Sequence, residues 1–111
     1  MNNFIKICKT SEILLNKGRK YLHHDGQEIA VFNIKGKFYA FDNNCPHNHT
    51  PKISEGFIKD EYVICPVHLY YFNINTGKAR FNASGKLKIF ETKIEDDYVF
   101  VNIPEKKLFN F

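Results

Sequence analysis

An all-β fold of antiparallel strands is the class that the sequence predicts, and three observations support it. Short runs rich in β-branched and aromatic residues recur along the 111 residues. Turn signals separate these runs, and no segment shows the 3.6-residue apolar period of a surface helix. The length is that of one domain. The sequence therefore predicts a single domain over residues 1–111, built as an antiparallel β sandwich or barrel.

The first half of the chain has the pattern of a meander of short strands. Residues 10–15 are predicted to be a short helical turn or a loop. The Asp25-Gly26 pair and the Lys35-Gly36-Lys37 segment supply tight turns, because glycine tolerates positive φ. The predicted strands share apolar or alternating residues, and they are 4–8, 19–23, 28–34 and 38–41. The last of these delivers the chain to Cys45.

The second half alternates short apolar runs with polar connections. Residues 78–86 are predicted to be a polar loop with apolar anchors at Ala79, Phe81 and Ala83. Pro104 ends the last strand, because proline cannot donate to a strand ladder. The predicted runs are a connection through 57–58, strands 62–64 and 70–74, an alternating run 87–94, and strand 98–103. Strand 62–64 leads directly into Cys65.

Two short segments carry the most distinctive chemistry of the sequence. They are Cys45-Pro46-His47 and Cys65-Pro66-Val67-His68, with seventeen residues between His47 and Cys65. Each segment supplies one thiolate and one imidazole, and each proline stiffens its turn by fixing φ. Two cysteines on one iron and two histidines on the other are the ligand set of a Rieske-type [2Fe–2S] cluster. Structural zinc is the alternative, although zinc fingers place the cysteine pair before the histidine pair.

These segments resemble those of Rieske [2Fe–2S] proteins. Residues 65–77 are similar to the family pattern C-P-W-H-G-x-x-F-D-x-x-T-G, with Phe72, Thr76 and Gly77 in register. Residues 45–56 are similar to C-P-H-x-G-A-P-L-S-x-G, with one extra residue.

The resemblance extends over about residues 4–101. It implies antiparallel sheets with a small cluster-binding β subdomain, about residues 43–77, at one tip. It also implies one [2Fe–2S] cluster per chain, with the four ligands Cys45, His47, Cys65 and His68.

Two residues depart from the family pattern, because Leu69 and His49 stand where glycine is usual. Glycine often marks a position that needs positive φ or a close backbone approach. The Rieske proteins of cytochrome complexes carry an extra cysteine in each ligand loop, whereas this chain has three cysteines in all. The resemblance is therefore to the soluble ferredoxin-type branch. Cys8, in an alternating run, is predicted to be a small buried or half-buried residue and not a ligand.

The resemblance implies a one-electron carrier between a reductase and a terminal oxidoreductase such as a ring-hydroxylating dioxygenase. The chain also resembles the small subunit of assimilatory nitrite reductase, and a structural zinc module is the third alternative. No catalytic residue is predicted. His23 and His24 are predicted to be exposed, and with Asp25 they do not suggest a non-haem iron triad, because consecutive residues rarely converge on one metal.

Net charge and hydropathy argue against a nucleic acid or a membrane as a partner. The net charge is +4, but the lysines are scattered without a block of like charge, and no nucleic-acid-binding motif is present. No apolar run approaches 18 residues, and the first residues lack the apolar core of a signal peptide. The sequence therefore predicts a cytoplasmic protein that is monomeric on its own and binds redox proteins, with neither a membrane nor a nucleic acid as partner.

Overall fold

The computed structural model describes residues 3–23, 25–46, 50–67, 69–80 and 85–104. These residues form strands that pair into three antiparallel sheets, ordered β1-β10-β9, β2-β3-β4-β8 and β5-β6-β7. The strands are β1 (Phe4–Lys9), β2 (Gly18–Leu22), β3 (Glu28–Ile34), β4 (Lys37–Asp42), β5 (Phe57–Lys59), β6 (Tyr62–Ile64), β7 (Tyr71–Asn73), β8 (Ile89–Phe90), β9 (Thr92–Glu95) and β10 (Tyr98–Asn102). The predicted all-β class is confirmed.

We call these three sheets the outer, central and small sheets, in that order. The central sheet is buried on both faces, because β3 contributes to two hydrophobic clusters. Ile29 and Val31 belong to a cluster shared with the outer sheet, whereas Ala30 and Phe32 belong to one shared with the small sheet. All four side chains are at most 1% exposed. A strand covered on both faces needs a continuous apolar sequence, which explains the run predicted at 28–34.

The alternating run 87–94 contributes to two strands rather than one. It divides into β8, which pairs with β4 in the central sheet, and β9, which pairs with β10 in the outer sheet. The Thr92 hydroxyl donates to the Phe38 carbonyl at 2.8 Å and so ties the two sheets together just after the break. A period of two reports only that side chains alternate and does not indicate which strand the backbone pairs with.

Short 3-10 turns at Thr10–Glu12 and Ile53–Glu55 are the helical segments of the described ranges. The first agrees with the helical turn expected within residues 10–15. The second lies just before residues 57–58, which were predicted to be a connection but belong to strand β5, because they pair with β6. Neither turn is long or apolar enough to cross a membrane. Of the predicted loop anchors, Ala79 packs against the core, whereas Phe81 and Ala83 lie outside the described residues.

Cys8 is a buried core residue, as predicted. Its side chain is 5% exposed and belongs to the cluster between the outer and central sheets. Burial raises the pKa of the Cys8 thiol, and the neighbouring Tyr21 side chain partly offsets that rise. Burial also raises the pKa of Tyr21, so both groups stay protonated at neutral pH.

The prediction that His23 is exposed is wrong. Its side chain is 10% exposed, and Nε2 lies 3.9 Å from Asp25 Oδ2. The reason is that the polar turn folds back, with the His23 N–H donating to the Gln27 carbonyl at 2.8 Å. His24, predicted to be exposed as well, lies outside the described residues.

Candidate metal centre

Cys45 and Cys65 begin two loops that are closed by the same hydrogen bond. The Cys45 N–H donates to the Thr50 carbonyl at 3.0 Å, and the Cys65 N–H donates to the Tyr70 carbonyl at 3.0 Å. In both loops the bonded residues are five positions apart, and the cysteine comes at or soon after the end of a strand. The sequence showed two related Cys-Pro segments, and the structure shows that their loops are geometric counterparts.

Both cysteine side chains are fully buried in one place. Each is 0% exposed, and both belong to the cluster between the central and small sheets, with Val63 and Phe72. An isolated thiolate in such an apolar setting is strongly disfavoured, whereas a bound metal deprotonates the thiol and balances its charge. This donor pair therefore fits a metal group that takes two thiolates.

The imidazole half of the predicted ligand set stays a prediction, because His47, His68 and His49 lie outside the described residues. By chain position, His47 falls between the two bonded ends of the first loop, and His68 falls between those of the second. Within the described part of the chain, no group of three or more His, Cys, Asp or Glu side chains could hold a metal ion.

Asn43 anchors the first loop, and sequence reasoning missed it. Its side chain is 0% exposed. The amide nitrogen donates to Glu28 Oε1 at 3.2 Å and to the Pro51 carbonyl at 3.0 Å, while the amide oxygen accepts from the Ser54 N–H at 2.7 Å. One buried amide thus joins β3 to the chain that follows the loop. The sequence offers no signal for this role, because Asn44 next to it is chemically identical.

The second loop contains a strained residue. Leu69 has φ of 56°, in the left-handed region, and its N–H donates to the Cys65 carbonyl at 2.9 Å. A residue with a Cβ loses about 1–2 kcal/mol in this conformation. Of the two reasons for which glycine is usual at this position, positive φ and close backbone approach, the structure shows the positive φ, although the residue is leucine.

Steric contacts explain why positions 77 and 56 of the two motifs are glycine. Gly77 has φ of 78°, and a Cβ there would clash with the Leu87 carbonyl oxygen. The Leu87 N–H donates to the Gly77 carbonyl at 2.8 Å, so the two backbone segments lie directly against each other. A Cβ at Gly56 would clash with the Ile64 carbonyl, directly before Cys65. Both glycines therefore allow close packing of backbone around the second loop.

Comparison with known proteins shows which family the chain matches. The family model of the Rieske-like [2Fe–2S] domain matches residues 3–102. The ferredoxin subunit of 3-phenylpropionate/cinnamic acid dioxygenase from Escherichia coli K12 is 35% identical over 79 residues, which cover 69% of this chain and 74% of that protein.

Solved structures share the fold over almost their whole length. A chain from the complex of reduced oxygenase and oxidized ferredoxin in carbazole 1,9a-dioxygenase superposes with a TM-score of 0.79 at 26% identity, covering 87% of this chain and 99% of that one. The nitrite reductase [NAD(P)H] small subunit of Erwinia carotovora gives a TM-score of 0.77 at 21% identity, covering 100% and 89%. At that lower identity the likeness is one of fold.

Proposed function

This chain belongs to the Rieske-like [2Fe–2S] domain family, and from that membership we propose that it is a Rieske-type ferredoxin. In this role it carries one electron at a time between a reductase and a terminal oxidoreductase such as a ring-hydroxylating dioxygenase. The observation that carries the proposal is the pair of buried cysteines at the starts of two matching loops. The dioxygenase ferredoxin subunit of E. coli supports the class of partner.

The cofactor is a [2Fe–2S] cluster. In the proposed ligand set, Cys45 and Cys65 hold one iron, and His47 and His68 hold the other. The bound cluster supplies a one-electron couple, whose potential lies above that of an all-cysteine cluster because two neutral imidazoles replace two thiolates.

We propose that the residues around the two loops keep the cluster ligands in fixed positions. Asn43 fixes the chain on both sides of the first loop, and the Leu69 N–H closes the second loop on Cys65. Both cysteines are packed in an apolar core that excludes water. Fixed ligands and a dry surrounding limit the rearrangement that accompanies each electron, and outer-shell contacts of this kind tune a metal site.

The partners of the chain are redox proteins. We propose further that the carrier is cytoplasmic, monomeric on its own, and without a substrate-transforming site. The domain division, with the cluster-binding part at about residues 43–77, is part of the same proposal. It is supported by the position of the small sheet and both loops within that segment.

A second candidate is the small subunit of a nitrite reductase, whose fold the chain shares. The two candidates differ in how they hold their partner. A subunit should co-purify tightly with a large catalytic chain, whereas a ferredoxin should dissociate between encounters. Affinity purification of the chain at its native level from its own cells, in a low-salt buffer, separates them by the presence or absence of a stoichiometric large partner.

We expect the dithionite-reduced protein, purified anaerobically, to show a rhombic EPR signal with the low average g value of a histidine-ligated [2Fe–2S] centre. Iron and sulfide analysis of the same sample should give two of each per chain, as the cluster type requires. The measurement also tests the zinc alternative. One zinc per chain without an EPR signal would overturn the redox function and leave a structural site.

A further inference from the structure

The net positive charge of the chain is concentrated in one segment. Residues 62–90 contain no Asp or Glu, but they contain four cations, Lys78, Arg80, Lys86 and Lys88. The charge of these four side chains equals the +4 of the whole chain, so the remaining residues carry twelve acidic and twelve basic side chains. The rest of the chain is therefore balanced, and this segment alone is basic.

The fold brings these cations together on one outward surface. Ala79 and Leu87 pack against the core between the central and small sheets. Because side chains alternate across a strand, the residues on either side of them point away from that core. Lys78 pairs with Lys86 in an antiparallel bridge, so the two short segments lie side by side. We call this surface the basic face, and it consists of four exposed residues, Lys78, Arg80, Lys86 and Lys88.

Two lysines of the basic face stand directly opposite each other. Lys78 and Lys86 are bridge partners, and like charges in such cross-strand pairs lower stability. The ion pairs among the described residues involve neither of these lysines nor Lys88. The repulsion therefore has no compensation within the described part of the chain. A local rule broken in this way is explained by a counter-charge that another molecule supplies.

The surroundings of the basic face suit the carboxylates of a protein. The Arg80 guanidinium lies 5.1 Å from the ring centre of Tyr62 and 5.2 Å from that of Tyr71, so the two rings orient it. Lys86 and Thr76 line an open cavity of about 430 Å³, which leaves room for an acidic side chain. Arginine and tyrosine are enriched where proteins meet, whereas proteins that bind DNA strongly contact about six to ten phosphates.

We propose that the basic face docks an acidic surface of the electron donor, the reductase that reduces this chain. The inference rests on the proposed function. Reduction adds one negative charge to the chain, so an acidic partner binds the oxidised chain more tightly than the reduced one. A donor has to bind the oxidised chain and release the reduced one, and an acidic surface on the donor favours both steps. On an electron acceptor the same surface would hinder both steps, since an acceptor binds the reduced chain.

The experiment measures reduction of the purified, oxidised chain by NADH or NADPH in a desalted extract of the cells that express it. The loss of visible absorbance is followed anaerobically, and rates at increasing chain concentration give a KM and a limiting rate. The variants are Lys86→Glu and Lys86→Gln. The matched control is Lys17→Glu, because Lys17 is also an exposed lysine and lies outside residues 62–90.

We expect Lys86→Glu to raise the KM about fivefold in low salt and Lys86→Gln to raise it about twofold, because they change the charge of the basic face by two units and one unit. Lys17→Glu should keep the wild-type KM. The wild-type KM should rise between about 50 and 300 mM salt, and that of Lys86→Glu should rise less.

Stability should change in the opposite direction. Lys86→Glu converts the repulsion with Lys78 into an attraction, so its melting temperature should rise by about 1–5 °C. Its EPR signal should match that of the wild type. A more stable variant with a weaker donor interaction separates a docking role from a structural one, since loss of a structural residue would lower the melting temperature.

Several outcomes would overturn the inference while leaving the redox function intact. An unchanged KM in both Lys86 variants is one, and an equal rise of the KM in Lys17→Glu is another. A wild-type chain that dithionite reduces but the extract does not would also overturn it. Binding of a short DNA duplex at physiological salt that Lys86→Glu abolishes would make a nucleic acid the occupant instead. Absence of the EPR signal from the dithionite-reduced wild type would refute the proposed function itself.

Discussion

Replacement of His68 by alanine is expected to abolish the visible absorption and the reduced-state EPR signal of the protein. The second iron would lose one of its two proposed protein ligands, and a cluster missing a ligand is lost or converted to an unstable form. Absorbance, iron content and EPR of the variant, purified anaerobically beside the wild type, measure the effect. An intact wild-type spectrum in this variant would refute the ligand assignment.

The control for that experiment is Cys8→Ser. Cys8 is buried between the outer and central sheets, whereas Cys45 and Cys65 lie in the cluster shared with the small sheet. The Cys8 variant should therefore keep the full spectrum and iron content, even if it is less stable. Loss of the cluster in Cys8→Ser, at a temperature where the variant is folded, would show that one cysteine ligand is misassigned.

Replacement of Asn43 by alanine should lower the free energy of unfolding by about 2–4 kcal/mol, the range for breaking a buried hydrogen-bond network. The variant leaves the Ser54 N–H and the Pro51 carbonyl without the Asn43 side chain that they contact in the wild type. The first loop should loosen, so visible absorbance should bleach faster in air. Urea unfolding and the bleaching rate give the two readouts.

Asn44 provides a matched control one position away. Its side chain is only partly buried and bonds to Asp42 Oδ1 at 3.3 Å, so Asn44→Ala should lower stability by less than about 1 kcal/mol. Asn43→Asp keeps the oxygen that Ser54 uses, but it would bury a carboxylate against Glu28 Oε1 and the Pro51 carbonyl, so it should be at least as destabilising as Asn43→Ala at neutral pH. Equal stability of the two alanine variants would contradict the role assigned to Asn43.

The fold class and half of the candidate site could be predicted from sequence because local rules determine them. The β3 run and the turns around Asp25 and Lys35 follow from period, composition and glycine placement. Cys45 and Cys65 stand out because few residue types bind metals and their spacing is unusual. The conformation at Leu69 was accessible in part, since the glycine usual there in the family left positive φ and close backbone approach as the two explanations.

The remaining features depend on contacts between distant parts of the chain. Asn43 is identical in type to Asn44, and only tertiary packing decides which amide is buried. The chain passes from the central sheet to the outer sheet at Glu91, and the alternating pattern of the sequence does not show this change. His23 becomes covered when its turn folds back. Strand ends moved by a residue or two for the same reason, since pairing partners and not propensity decide where a strand stops.

The central sheet, with a separate core on each face, has a consequence for how this protein can evolve. Most changes in the cluster loops or the small sheet disturb only one of the two cores, while the outer core around Val99 and Val101 keeps its packing. Mutations at exposed loop positions such as Val67 or Leu69 can then accumulate without loss of foldability. A lineage of such carriers can exchange one redox partner for another by altering a few residues on a conserved frame.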